Sequence, residues 1–118
     1  MPRFVILDHD FPSRHWDFLL ETGAQLRGWR LWAEPALGRD IPAEPTPDHR
    51  PVYLTYEGDV SGDRGTVIRW DAGTFDWRRD ETEVVEVELR GVKLRGRAQL
   101  SRGVSGLVWR CDQSDAAG

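Results

Sequence analysis

The chain has 118 residues, a formal net charge of −4, 39% hydrophobic residues and 31% charged residues. That size suits one domain with its own core, and the acidic balance argues against extended nucleic-acid binding, which depends on neutralising phosphates, while leaving room for a short contact at a strand end. No apolar run reaches the roughly 20 residues needed to cross a bilayer, the single Cys111 has no internal disulfide partner, and the opening residues lack a signal-peptide pattern, so the expectation is a cytoplasmic protein.

In chain order, Phe4-Val5-Ile6-Leu7 is a short β-compatible run. The segment from His15 to Glu21 begins with period-two alternation, which predicts a strand. Gly23 marks a turn, and Leu26 to Trp32 reads as the returning strand. Residues 34–51 hold Pro35, Pro42, Pro45, Pro47 and Pro51 and are read as a long loop, because proline cannot donate to a sheet. Strand signals resume at Val52 to Tyr56 and at Gly65 to Trp70. Asp71-Ala72-Gly73 reads as a turn, Thr74 to Trp77 as a strand, and Arg78 to Glu81 as a charged turn. Val84 to Leu89, Lys93 to Ser101 and Gly106 to Cys111 complete the series. Short strands with turns every 8–12 residues or so predict an all-β, compact antiparallel β-barrel with a long Pro-rich loop. One stand-alone domain is expected over 1–112, with a disordered tail over 113–118.

His15 and Asp17 are two apart on a predicted strand and so leave from one face, with Trp16 and Phe18 on the other. A His and an Asp together can hold a divalent ion. His9 lies six residues earlier, across Pro12-Ser13, where the chain can bring it back to the same ion. The three histidines sit at loop or strand-end positions that could meet at one barrel mouth. Two other readings stand beside this one. His15 and Asp17 can form a structural hydrogen-bonded pair, or, with His49 as third ligand, the two-His-one-carboxylate set of a non-haem iron oxygenase. The six tryptophans fill or cap a small barrel, or one or two of them stack on bases. Arg90, Lys93, Arg95, Arg97 and Arg102 form a late basic cluster, either a solvated strand face or a contact surface.

The run Phe4-Val5-Ile6-Leu7-Asp8-His9-Asp10 through His15-Trp16-Asp17-Phe18 resembles the opening motif of the DNA ligase D 3′-phosphoesterase family. Asp48-His49 followed by Tyr53 is similar to its second motif. Tyr56-Glu57-Gly58, Gly65-Thr66-Val67, Trp70-Asp71, Gly73-Thr74-Phe75, Leu94-Arg95-Gly96-Arg97 and Trp109 match later segments, so the resemblance runs over about residues 4–110. It implies a β-barrel that acts on 3′ ends of nucleic acid, removing a 3′-ribonucleoside or 3′-phosphate, beside ligase or polymerase end-joining proteins. It also implies a divalent metal, typically Mn²⁺ with Zn²⁺ or another transition metal as alternatives, on His9, His15 and Asp17. His49 would contact the scissile phosphate, with Tyr53 nearby. Departures from the pattern are Leu7, Leu19, Ile41 and Pro47 and the Trp29-Arg30-Leu31-Trp32-Ala33 segment, where the family carries polar or cationic residues or a lysine, and the short 59–64 loop. Arg14, Arg30, Arg39 and Arg64 are candidate substitutes for the missing cations. These losses keep open a non-catalytic barrel that binds metal or a nucleic-acid end.

Overall fold

Period-two apolar patterning, repeated along the chain, produces strands that bury alternate residues against the others. The computed structural model describes residues 1–114; positions 115–118 of the expected tail lie outside the described residues, and Gln113 and Ser114 have no regular secondary structure. The strands are β1 (Arg3–His9), β2 (His15–Thr22), β3 (Gln25–Leu31), β4 (Ile41–His49), β5 (Gly58–Asp59), β6 (Thr66–Asp80), β7 (Val84–Gly91), β8 (Arg95–Gly103) and β9 (Gly106–Asp112). Their order is β1-β2-β3-β4-β9-β8-β7-β6-β5, every strand pairing is antiparallel, and β1 also pairs with β6. That last pairing closes a barrel of all the strands except the two-residue β5. Closure removes the sheet edges that would otherwise invite aggregation.

All strands of the closed ring contribute to the interior, including Phe4 and Ile6 of β1, Trp16, Phe18 and Leu20 of β2, Trp29 and Leu31 of β3, Phe75 of β6 and Trp109 of β9. A second cluster lies on the outside of the wall. Val5, Leu7, Leu19, Leu26 and Val67 are covered there by Leu54 from the 3-10 turn Pro51–Leu54. Strand β2 is therefore buried on both faces, Trp16 and Phe18 inward and His15 and Asp17 outward. The histidines do not meet at the barrel mouth; they gather on the covered outer wall.

Three expectations are corrected. Residues 34–51 are not loop throughout, because Ile41–His49 forms β4. β4 pairs with β3 as far as His49 but with β9 only through Ile41, Pro42 and Ala43. Beyond Ala43 it is an edge, where Pro45 and Pro47 remove no ladder bond. Val52 to Tyr56 is not a strand but mostly the 3-10 turn that carries Leu54 onto the wall. The expected turns at 71–73 and 78–81 do not form there: β6 runs unbroken from Thr66 to Asp80, with register shifts opposite Ile6/Leu7 and at Trp77/Arg79, and the connection to β7 falls at 81–83. Asp71 is a buried carboxylate, not a turn residue. It accepts hydrogen bonds from the backbone N–H groups of Ala72, Val92, Lys93 and Leu94, each at 2.9 Å, and so ties the β7–β8 connection to β6. Gly73 is needed for close approach, since a Cβ there would strike the Arg90 carbonyl. No helix among the described residues is long and apolar enough to cross a membrane.

Candidate metal centre

The β1–β2 hairpin sets His9 directly opposite His15, and their rings lie 4.7 Å apart. Asp17, two residues along β2, completes a group whose ligand atoms all lie within 4.8 Å of one another. The hydrogen bonds around the group fix which nitrogens are available. His15 Nδ1 is 2.9 Å from the Ser13 carbonyl, and His9 Nε2 is 2.9 Å from the Arg64 carbonyl. A carbonyl only accepts, so each imidazole spends its N–H outward and turns its other nitrogen inward. His9 Nδ1 lies 3.1 Å from Asp17 Oδ2, and His15 Nε2 lies 3.1 Å from Asp17 Oδ1. His15 Nε2 is buried without a hydrogen-bond partner. Two imidazole lone pairs and a buried carboxylate facing one point repel unless a cation or proton sits between them. This donor set, with each ring N–H anchored by a carbonyl, fits a divalent transition metal.

Electrostatics agree with that geometry. The bond to Asp17 raises the His9 pKa against the opposing effect of burial. Burial disfavours the Asp17 charge, yet the interactions with the facing His15 and His9 rings outweigh it and hold the carboxyl well below the usual carboxylate range.

A cleft of about 660 Å³ opens beside the group, lined by His9 and Asp17 and by His49 and Tyr53 from the end of β4 and the 3-10 turn. His49 therefore comes from a strand end, not from a loop. Its ring meets Tyr53 edge-on at 5.9 Å. Burial pushes its imidazole below the ordinary value, only partly offset by the Asp17 charge and the Pro47 carbonyl. Gly28 makes room for it: a Cβ there would come within 2.8 Å of Thr46 Oγ1, 2.7 Å of Leu19 Cδ2 and 3.3 Å of His49 Nδ1. The described residues that could share an ion are His9, His15 and Asp17, and His49 is not one of them.

Arg30, Arg50 and Arg64 also line the cleft. Of the suggested substitute cations, Arg30 and Arg64 reach it. Arg14 instead pairs with Asp8 at 2.8 Å, and Arg39 donates to the Glu34 carbonyl at 3.3 Å. Arg50 and the Arg64 carbonyl carried no motif signal, because nothing in a sequence announces a backbone contact. The late basic cluster is largely neutralised on its own sheet face, by Arg90–Asp76 (2.7 Å), Arg97–Glu86 (3.2 Å) and Arg102–Glu83 (3.1 Å).

Residues 7–102 match the family model described as the DNA ligase D 3′-phosphoesterase domain. The chain belongs to that family. Relatives include the multifunctional non-homologous end joining DNA repair protein LigD of Mycobacterium tuberculosis, 35% identical over 114 residues. The corresponding LigD of Pseudomonas aeruginosa is 32% identical over 110 residues. These alignments cover 84% and 85% of this chain but only 14% and 13% of the relatives, so the chain spans about a seventh of their length. Within the 3′-phosphoesterase family pattern, the departures at Leu19 and Ile41 have a structural reading. Both side chains are apolar and fully buried, Leu19 in the outer cluster on the same strand face as Asp17 and Ile41 in the barrel interior, so neither residue supplies a cation to the cleft.

Proposed function

We propose that this chain is a divalent-metal-dependent phosphoesterase that trims 3′ ends of nucleic acid, removing a 3′-ribonucleoside or a 3′-phosphate during DNA end repair. The observation that carries the reading is the inward turn of His9 Nδ1 and His15 Nε2 onto Asp17, on the wall of a cleft that also holds His49, Tyr53 and three arginines. Mn²⁺ is the proposed ion. When bound, it would polarise a phosphoryl oxygen and lower the pKa of a coordinated water. The chain's own residues do the rest. Arg30, Arg50 and Arg64 attract and orient the phosphate. An arriving phosphate opposes the burial effect on His49 and favours its protonated form, which then donates to the phosphate or to the leaving oxygen. Tyr53 holds the His49 ring edge-on. Cytoplasmic action beside ligase or polymerase end-joining proteins goes with this reading.

A second reading, a non-catalytic barrel that binds metal or a nucleic-acid end, is favoured by the burial of Leu19 and Ile41 where the family pattern has cations. Incubation of the pure protein with a primer–template ending in a 3′-ribonucleotide or a 3′-phosphate separates the two. The phosphoesterase gives a shortened or 3′-hydroxyl product with Mn²⁺ and none with chelator. Absence of product with every divalent ion leaves the binding barrel.

A further inference from the structure

Every Phe, Tyr and Trp side chain is buried or half-buried except two, Phe11 at 41% exposed and Trp32 at 39%. Scattered exposed aromatics are ordinary on a protein surface; these two are singled out by position. Phe11 lines the cleft together with His9 and Asp17. Trp32, just past β3, meets the ring of His15 edge-on at 5.8 Å. The other tryptophans belong to the core or pack against it. Trp32 is also held from above: the Arg30 guanidinium lies 5.5 Å from its ring centroid, and Arg30 is itself a lining residue of the cleft. Arg30, which also pairs with Glu44 at 3.5 Å, thus spans an aromatic surface and a cleft that Arg50 and Arg64 line as well. The chemistry that uses both is a flat π-face joined to a phosphate.

We infer that Trp32, steadied by Arg30 and His15, and Phe11 on the cleft wall are stacking surfaces for the nucleobases attached to the phosphoester. The ligand class is a nucleotide or frayed strand end with an unpaired base, bound with little base preference, because every base presents a π-face. The inference rests on the cleft taking a phosphoester, but not on its cleaving one.

The test is binding of adenosine 3′-monophosphate and of inorganic phosphate to the full chain with Mn²⁺, measured by calorimetry on wild type, Trp32→Ala, Trp32→Phe and Phe11→Ala. Wild type should bind the nucleotide at least tenfold more tightly than phosphate. Trp32→Ala should weaken nucleotide binding by roughly 5- to 100-fold, the scale of one lost stacked base, with phosphate affinity unchanged. Trp32→Phe should keep most of the nucleotide affinity, and Phe11→Ala should repeat the selective loss. Equal wild-type affinity for the two ligands, parallel loss of both in Trp32→Ala, or no loss in either alanine variant overturns the inference. Selective nucleotide binding by a protein that cleaves nothing would leave the inference standing and remove the phosphoesterase reading. Cleavage with unchanged binding in the alanine variants would do the reverse.

Discussion

Asp17 faces two imidazoles whose other nitrogens are bound to backbone carbonyls, so the proton and a metal compete for one point. The sign of the resulting pH dependence follows from His9, whose pKa is raised. Metal binding must displace its proton. Mn²⁺ affinity should therefore fall as pH drops, with the decline starting above pH 6.5 or so and reaching about tenfold per unit below the folded pKa. Titrations that give one affinity from pH 6 to pH 8 would contradict this. In the metal-free protein His9 acts in the opposite sense. It contributes stability below its unfolded pKa, and that contribution is lost as pH rises through the higher folded value. His15→Ala removes the fully buried donor and should abolish tight Mn²⁺ binding, read by calorimetry. The sequence carried this much of the site: the spacing of His15 and Asp17 put them on one face, and the Pro12-Ser13 break allowed His9 to fold back toward them, as the resemblance also implied. It could not carry the Ser13 and Arg64 carbonyls that set the tautomers, because backbone acceptors have no residue signature.

At the scale of elements, β3 and β4 determine whether His49 can stand over Asp17. Gly28 leaves the space, since a Cβ would crowd Leu19, Thr46 and His49. Gly28→Ala should cost about 1–3 kcal/mol of stability through overpacking and should depress 3′-end cleavage more than it weakens Mn²⁺ binding. Denaturant melts and Mn²⁺ titrations on the same variant check both. Leu54 anchors the 3-10 turn to the wall, and Leu54→Ala should cost about 2–5 kcal/mol while loosening Tyr53 and His49. The period-two strands were legible because burial alternates in β7 and β8 and residue type alternates at the start of β2, although both faces of β2 are buried. β4 was not, because Pro45 and Pro47 occupy an open edge where the usual argument against a proline strand lapses and Pro42 sits at the strand's start. β6 was misread as broken for a related reason. Asp71 and Gly73 are turn residues by type, but one serves as a buried acceptor and the other as a point of close approach.

On the scale of the whole molecule, 16 basic and 20 acidic residues give a net charge of −4, and three arginines line the cleft. Such a protein meets nucleic acid locally, at an end, not along a tract. Binding to a single-stranded 3′ end should lose affinity with salt at a log–log slope of roughly −2, the counterion release expected for three phosphate contacts. A slope steeper than about −5 would indicate an extended basic surface that the molecule does not present. The central claim is that a metal group and a separate phosphate-facing histidine share one cleft on the barrel's outer wall. Single-turnover cleavage of a 3′-phosphate primer–template with saturating Mn²⁺, comparing His49→Ala with wild type and with Mn²⁺ affinity measured on both, tests it most directly. The account predicts cleavage reduced by roughly 10²-fold or more with Mn²⁺ affinity nearly unchanged; loss of Mn²⁺ binding in His49→Ala, or cleavage equal to wild type, would contradict it.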